Sequence, residues 1–338
     1  MMTVQITIIG TGQIGASMGL ALAEHQDLFL RVGHDKDFKV ASRAKDMGAF
    51  DRVERNLPRS VSGAQMVVLA LPLDQIQETF RYIAQDLQED AVIMDTAPIK
   101  GTVLSWASEL LPAKCHYIGL TPVINPAYLD SPERGVEAAH ADLFKNGLMA
   151  ILTSPGVPSE AIKLATDFTH LLGAGHLFID PVELDSMMAA THLLPQLMAA
   201  ALLNSTVDQP GWMDARKLAG QPYADATRAV THSGDAQSLS NEAMASRQYL
   251  ARLINALVVQ LFELRDQLSE NDADKLLHEL SRASLGREQW LKERSSANWN
   301  LAENAARVEL PTSSQVFARL FTFGGGRKPK PPKRDENK

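Results

Sequence analysis

The stretch VQITIIGTGQIG, residues 4–15, decides the fold of this chain. Its first half, Val4–Ile9, is rich in β-branched residues and predicts a short buried parallel strand. Three glycines, Gly10, Gly12 and Gly15, follow in the spacing GxGxxG, and the next residues, ASMGLALAEH, favour a helix. A glycine-rich turn between a strand and a helix is typical of a dinucleotide-binding unit, because the free N–H groups at the helix N-terminus face the pyrophosphate.

Each glycine of this turn has a predicted role. Gly10 permits the tight turn, Gly12 lets the backbone approach the pyrophosphate, and Gly15 allows the helix to pack close to the sheet. The predicted cofactor site includes the whole turn, whose members are Gly10, Thr11, Gly12, Gln13, Ile14 and Gly15.

An acidic residue completes the cofactor signal. Asp35 lies 20 residues beyond Gly15, at the end of the second predicted strand, FLRVGHD. This is the expected place for a carboxylate that binds the adenosine ribose. The same carboxylate would repel a 2′-phosphate, so NAD is favoured over NADP. Lys36 and Arg43 are nearby cations that weaken this preference, and surface charges are the simpler interpretation of both.

Strand-like and helix-like segments continue to alternate over about the first 180 residues. This pattern predicts a Rossmann-type α/β fold, a doubly wound parallel sheet with right-handed crossovers. The further predicted strands are residues 66–72, 91–95, 116–122, 147–154 and 176–180.

The pattern changes at Asp180-Pro181, after which helical segments dominate. The run from residue 182 to 207 is apolar almost all round, which predicts a buried helix. We therefore expect a nucleotide-binding domain over 1–180 and an all-helical domain over 181–322. The end, 323–338, is rich in glycine, lysine and proline and predicts a disordered basic tail.

Composition excludes several classes of protein. The 338 residues carry a net charge of −7, and the last twelve residues contribute +4, which leaves −11 on the remainder. An acidic body does not favour nucleic acid or an anionic membrane. The single cysteine, Cys115, indicates a reducing compartment. No segment resembles a signal peptide or a clean membrane span, so we expect a cytoplasmic protein.

The ordered motifs resemble those of prephenate and arogenate dehydrogenases, the enzymes of tyrosine biosynthesis. The resemblance runs from about residue 6 to about residue 311. Its further pieces are VVLALP, MDTAPIK, YIGLTP, DLFKNGLMAILTS, DPVELDSMMAATHLLPQLMAAAL and DATRAV. It implies a dimer formed by the helical domain and the NAD-dependent oxidative decarboxylation of a small cyclohexadienol carboxylate. It also implies that Leu71, Pro72 and Thr96 contact the cofactor.

The catalytic positions of this family are altered here. The usual Asp-x-x-Ser-x-Lys motif has Pro98 at the serine, and the usual His-Pro has Thr121 at the histidine. His192 is retained, whereas a second histidine of the same segment is replaced by Gln196. We expect His192 and Thr121 to be the catalytic candidates, and Arg228 with Gln196 to bind substrate. The alternatives are a satisfied core or interface histidine for His192 and an ordinary surface or helix-capping arginine for Arg228.

Two other functions stay open at this point. The altered residues also fit a non-catalytic NAD(H)-binding dimer that acts as a sensor or partner. An oxidoreductase for a different small carboxylic acid, such as a β-hydroxyacid, is the other possibility. Those enzymes use a lysine in the helical domain, and the 182–207 helix contains none. No metal site is expected, because one cysteine is too few for a zinc site based on sulfur ligands.

Overall fold

A computed structural model describes residues 4–232 and 234–297. Eight strands form one sheet, and they are β1 Val4–Ile9, β2 Phe29–His34, β3 Arg52–Val53, β4 Met66–Leu69, β5 Val92–Asp95, β6 His116–Val123, β7 Leu148–Thr153 and β8 Gly175–Phe178. The predicted third strand therefore ends earlier, at Leu69, and the two-residue β3 was not predicted.

Helices alternate with the strands and then continue alone. They are α1 Gln13–Ala21, α2 Phe38–Asp46, α3 Leu57–Val61, α4 Leu73–Ile83, α5 Lys100–Leu110, α6 Ser159–Leu171, α7 Pro181–Met188, α8 Leu194–Val207, α9 Trp212–Leu218, α10 Gln221–Thr227, α11 Ala236–Ala245, α12 Arg247–Ser269 and α13 Ala273–Ser296. A π-helical turn, Ala189–Leu193, joins α7 to α8, and a 3₁₀ turn, Arg228–Thr231, follows α10.

The sheet has the strand order β3-β2-β1-β4-β5-β6-β7-β8. The winding direction reverses between β1 and β4, which makes the carboxyl ends of these strands a topological switch point. All neighbours pair in parallel except β6 and β7, which pair antiparallel. The predicted doubly wound Rossmann-type sheet is confirmed, with the correction that it is mostly rather than wholly parallel.

The core lies on both faces of the sheet, as the period of two in a strand requires. In β1, Ile6 and Ile8 belong to one buried cluster, and Ile9 belongs to the cluster on the opposite face. Each fully buried side chain of this kind contributes about 1.5–3 kcal/mol. The second cluster also contains Ala189 and Leu193 of the π-helical turn, so it joins the sheet to the helices that follow.

The helical half begins with one continuous helix, Pro181–Val207. This helix has 27 residues, and its most apolar stretch has a mean hydropathy of 1.3, with 22% of that stretch buried. By length and composition it is long and apolar enough to cross a membrane. Core helices of soluble proteins have the same length and composition, so this helix does not contradict the expectation that the chain contains no clean membrane span. The prediction that the 182–207 helix is buried is wrong for the single chain, where Val182 and Met187 are exposed.

Past Asp180, the described residues contain helices and turns but no strands. The remainder of the predicted helical domain, 298–322, and the predicted tail, 323–338, lie outside the described residues.

Candidate functional site

The glycine turn after β1 has the geometry of an open anion-binding turn. Gly10 has a φ of +89°, which a residue with a side chain rarely adopts. A Cβ on Gly15 would lie 1.9 Å from the carbonyl oxygen of Gly10, so only glycine lets α1 begin this close to β1. A Cβ on Gly12 would meet nothing within 4 Å. The space beside Gly12 is therefore free for a ligand.

The N-terminus of α1 is also available to an anion. Gly12 is its N-cap, and no side chain accepts a hydrogen bond from the first turn. The N–H groups there carry partial positive charge and need an acceptor. Gln13 and Ile14, the first residues of the helix, are only half-buried.

Asp35 lies directly after β2 and faces the turn. Its Oδ2 accepts hydrogen bonds from the N–H and hydroxyl of Thr11, at 2.8 and 3.2 Å. This fixes the carboxylate beside the glycine turn, where the ribose of a dinucleotide would lie. Arg43 forms two hydrogen bonds with Glu137, at 2.8 and 3.0 Å, so its charge is already paired.

The other predicted cofactor residues follow β4 and β5. Leu71 borders the glycine turn, because its Cδ2 is 3.0 Å from the position of a Cβ on Gly10. Pro72 is the N-cap of α4. The N–H of Thr96 donates to the carbonyl oxygen of Leu69 at 3.0 Å. These residues thus lie at the carboxyl ends of strands on one side of the switch point.

A buried polar network lies at the carboxyl end of β5, around Asp95. The Lys100 Nζ is 2.7 Å from Asp95 Oδ1, and the Tyr117 hydroxyl donates to Asp95 Oδ2 at 2.6 Å. Asp185 of α7 accepts hydrogen bonds from the backbone N–H groups of Lys100 and Gly101, at 2.6 and 3.0 Å. Burial, with the nearby Asp95 carboxylate, raises the pKa of Tyr117 well above its ordinary value. Tyr117 therefore stays a hydrogen-bond donor.

A second concave region, which we call the arginine cleft, lies between the loop that follows β6 and the helices of the second half. Its volume is about 750 Å³. Its walls come from the loop after β6, the start of α8, the α10 segment and α13. Its lining residues are Leu129, Asp130, Arg134, Thr191, His192, Pro195, Gln196, Gln221, Asp225, Arg228, Ala229, His232 and Arg287.

Pro195 explains the local backbone around His192. Proline lacks the N–H that would bond to the carbonyl of Thr191 in an α-helix. The helix widens into a π-helical turn there, as often occurs at functional sites. Gln196 is buried, and its Nε2 donates to the carbonyl oxygen of His192 at 2.9 Å.

His192 is a partly buried imidazole within a small titratable cluster. The ring of His232 packs edge-on against it, with centroids 5.2 Å apart. Glu242 Oε2 is 4.0 Å from His192 Nε2. Burial, aided by His232, lowers the pKa of His192 to about 4. His192 is therefore a neutral hydrogen-bond acceptor at neutral pH.

Arg228 lies on the 3₁₀ turn after α10 and faces the arginine cleft. Its guanidinium is 2.5 Å from Asp225 Oδ1, so Asp225 shares its charge. Two further arginines, Arg134 and Arg287, line the same cleft. A cluster of guanidinium groups is suited to binding carboxylates.

The structure brings together three of the four residues predicted from the altered motifs: His192, Gln196 and Arg228 line one cleft. Thr121 is not among the lining residues. It is buried in β6, and its hydroxyl donates to the carbonyl oxygen of Ala97 at 3.2 Å.

The sequence reasoning missed four residues of this site: Arg134, His232, Glu242 and Arg287. None of them falls in a motif that the sequence analysis singled out. An arginine, histidine or glutamate on a loop or helix carries no local signal of this kind. Only folding brings α11, α13, the loop after β6 and the turn after α10 to the region around His192.

Comparison with known proteins gives the same family over both halves of the chain. The prephenate dehydrogenase nucleotide-binding domain matches residues 18–177, and the prephenate dehydrogenase dimerization domain matches residues 180–282. The first match begins after Gly15, so the glycine turn is identified from its own geometry.

Individual relatives are distant. A cyclohexadienyl dehydrogenase of Zymomonas mobilis is 23% identical over 83% of this chain and 94% of its own length. A prephenate dehydrogenase of Bacillus subtilis is 23% identical over 68% of this chain and 61% of its own length. The structure of prephenate dehydrogenase from Aquifex aeolicus with hydroxyphenyl propionate and NAD⁺ is similar in fold. Its TM-score is 0.73 at 18% identity, covering 86% of this chain and 99% of that chain.

The two glycines at the helix start form a matched pair for testing the turn. Gly12→Ala should weaken NAD⁺ binding at least about tenfold and leave unfolding nearly unchanged, because its methyl group would occupy only the ligand's space. Gly15→Ala should lower the free energy of unfolding by more than about 2 kcal/mol, because its methyl group would meet a backbone oxygen. Fluorescence titration and urea unfolding measure the two effects. Equal losses of stability in both variants would contradict this assignment.

The packed rings of His192 and His232 predict that the stability of the protein depends on pH. His192 takes up a proton near pH 6.5 in the unfolded chain but only near pH 4 in the folded chain. The free energy of unfolding should therefore fall as the pH drops from 6.5 towards 4. Burial also lowers the pKa of His232, so both rings contribute.

Urea unfolding between pH 4 and 7 measures this slope. We expect it to be smaller in His192→Gln, and the exposed His278→Gln controls for loss of a histidine. An unchanged slope in His192→Gln would show that the imidazole is not held neutral.

Proposed function

Because the chain belongs to the prephenate dehydrogenase family, we propose that it oxidises and decarboxylates prephenate or arogenate with NAD⁺, a step of tyrosine biosynthesis. The observation that carries this proposal is the arginine cleft, where a neutral imidazole, a buried amide and arginines line one cavity. A small cyclohexadienol carboxylate needs such a combination of proton acceptor and cation.

The chain's own residues fit the cofactor. The open backbone at Gly12 and the uncapped start of α1 can hold the pyrophosphate, and Asp35 can hold the adenosine ribose. Asp35 favours NAD over NADP, because its carboxylate would repel a 2′-phosphate, and the charge of Arg43 is already paired with Glu137. Bound there, NAD⁺ would supply the hydride acceptor for the ring carbon that carries the hydroxyl.

His192 is our candidate for the proton acceptor. When the hydride leaves the carbinol carbon, the hydroxyl proton must leave its oxygen, and the oxygen regains a proton when the ring becomes a phenol. The acceptor thus holds a proton only transiently. Neutral His192 can accept this proton on a ring nitrogen, and the Glu242 carboxylate, 4.0 Å from Nε2, would stabilise the imidazolium while it holds the proton.

Arg228 is our candidate for binding a substrate carboxylate. Its guanidinium faces the cleft, and Gln196 lies on the adjacent wall. Asp225 holds the guanidinium in place and reduces its effective charge. Such a partly shared cation suits a carboxylate that must depart as CO₂, because tight binding of the ground state would oppose the reaction.

Thr121 has a supporting role in this proposal. Its bond to Ala97 holds the segment that follows β5, which includes Thr96.

Neither Thr121 nor Pro98 offers a base, and this favours the second candidate function, a non-catalytic NAD(H)-binding dimer. The two functions differ in one respect: only the enzyme forms NADH from a cyclohexadienol.

The helical half is our candidate for the dimer interface, and we also propose a domain division near residue 180. The matched domain is described as a dimerization domain. Large exposed apolar side chains are concentrated in this half of the described chain, and examples are Leu218, Leu261, Leu268, Leu277 and Trp290. Exposed apolar surface of this extent is typical of an interface.

We place the protein in the cytoplasm, where its single cysteine stays reduced.

The activity prediction uses the wild-type chain and two cleft variants. We expect NADH formation at 340 nm with prephenate or arogenate above the non-enzymatic rate. His192→Asn should lower kcat about 10²-fold or more, as loss of a general base does. Arg228→Gln should mainly raise KM, because it removes a charged contact to the carboxylate.

Matched controls keep this test specific. NADP⁺ should support much less turnover than NAD⁺. Tight NAD⁺ binding with no turnover of either substrate would favour the non-catalytic dimer over the enzyme.

The dimer prediction is tested by light scattering. We expect a mass of about twice 36.9 kDa for the full chain. Leu261→Glu, on α12, should lower the mass by placing a charge in the apolar face, whereas Tyr82→Glu, at a similarly exposed residue of α4, should not. A monomeric wild type, or equal effects of both substitutions, would contradict the proposed interface.

A further inference from the structure

The start of α11 lies beside the switch point between β1 and β4, which we call the cofactor crevice. Ser238 of α11 is buried, and its hydroxyl donates to Asp74 Oδ1 at 3.4 Å. Asp74 is in the first turn of α4, which begins directly after Pro72. The neighbouring Leu239 belongs to the buried cluster that also contains residues of α4. The helical half of the chain therefore contacts the cofactor-binding half here.

Ser238 brings two carboxylates from different halves of the chain together. Its backbone N–H donates to Asp235 Oδ1 at 2.8 Å, and its hydroxyl donates to Asp74. Asp235 is the N-cap of α11, so the start of the helix fixes its position. The residues Asp235 and Asp74 are both exposed. Their negative charges therefore act on the solvent at the mouth of the cofactor crevice.

The same carboxylates lie near the predicted position of the adenosine ribose. Asp35 follows β2 and Asp74 follows β4, and both strands pair with β1, so their carboxyl ends border one crevice. Lys36, the exposed residue after Asp35, interacts with Asp235 across this crevice. The backbone N–H of Ser238 contributes most to the lowered pKa of Asp235, and the charge of Lys36 lowers it further. The start of α11 is therefore close to both sides of the crevice.

Negative charge predominates among these residues. Asp37 lies beside Asp35, because its N–H donates to Asp35 Oδ1 at 3.0 Å. With Asp74 and Asp235, four carboxylates face the one ammonium group of Lys36. A phosphate monoester carries a charge of about −1.5 to −2 at pH 7, whereas the ribose hydroxyl that it replaces is neutral. These carboxylates therefore oppose a 2′-phosphate much more than a 2′-hydroxyl.

We propose that Asp235 and Asp74 are specificity residues that exclude NADP from the cofactor crevice, in addition to Asp35. Asp235 acts from the helical half of the chain. It repels a 2′-phosphate, and it also offsets the charge of Lys36, the cation that would otherwise attract that phosphate. This inference extends the cofactor preference of the proposed function, but it depends only on cofactor binding and not on turnover.

The binding test uses Asp235→Asn and Asp74→Asn. Asparagine keeps an oxygen that accepts from Ser238 and is an equally good N-cap, so only the charge is lost. Each substitution should lower the Kd of NADP⁺ roughly three- to tenfold and change that of NAD⁺ less than about twofold. Displacement of bound NADH, followed by its fluorescence, measures both constants. Asp272→Asn, which alters the N-cap of α13 instead, is the matched control and should change neither.

Two further measurements show whether charge is the cause. The difference in NADP⁺ affinity between Asp235→Asn and the wild type should shrink as the ionic strength rises from about 0.02 M to about 0.5 M, because salt screens exposed charges. Lys36→Gln should have the opposite effect and weaken NADP⁺ binding, because it removes the cation that Asp235 offsets.

Each outcome of these titrations has a distinct meaning. An unchanged ratio of the NADP⁺ and NAD⁺ constants in both asparagine variants would overturn the inference. Equal tightening of both cofactors would also overturn it, because the carboxylates would then act on the shared pyrophosphate. The expected shift in a protein that forms no NADH would support the inference and contradict the proposed enzyme, and turnover with an unchanged ratio would do the reverse. Urea unfolding of each variant shows whether it is folded.

Discussion

A buried ion pair between Lys100 and Asp95 joins the parts of the molecule on which both binding regions depend. Both side chains are fully buried, and their charged atoms are 2.7 Å apart. An unpaired charge at such a depth is strongly destabilising, by roughly 3–5 kcal/mol, so each group requires the other. Tyr117 completes the carboxylate's hydrogen bonds. The pair therefore fixes the end of β5 against the start of α5.

The same network determines how the two halves of the chain meet. Asp185, at the start of the helical half, accepts hydrogen bonds from the first two N–H groups of α5. It satisfies N–H groups that a helix N-terminus leaves without partners. Ala189 and Leu193 then pack into the core cluster of the sheet. His192 lies between them on the helix, so its position beside the sheet follows from this junction.

The local sequence was sufficient to predict the cofactor-binding half of the fold, but it was not sufficient to predict the rest of the structure. The βα unit at residues 4–21 and the acid at Asp35 are separated by few residues, and their geometry follows from strand, turn and helix preferences. Strand β7 runs antiparallel to β6 because of the long connection between them. That connection contains no sequence pattern that predicts this direction. The 182–207 helix was predicted to be buried from its composition, but composition does not show whether the chain itself or another copy covers it.

The site was predictable to the extent that its residues fell in motifs. His192, Gln196 and Arg228 were found in this way, and the structure places them in one cleft. The ion pair of Lys100 with Asp95 was not predicted, because nothing in the sequence places its ammonium group beside that carboxylate. Arg134, Arg287 and Glu242 come from elements far apart in the chain. Their proximity is a property of packing.

The most direct test of the central claim is a crystal structure of this protein with NAD⁺ and 4-hydroxyphenylpropionate bound. We predict that the ring lies in the arginine cleft, with the phenol oxygen within hydrogen-bond reach of His192 and the carboxylate on an arginine of the cleft. The ring carbon that bears this oxygen should lie about 3–3.5 Å from the nicotinamide C4. A ligand bound outside the cleft, or a nicotinamide too distant for hydride transfer, would contradict the account.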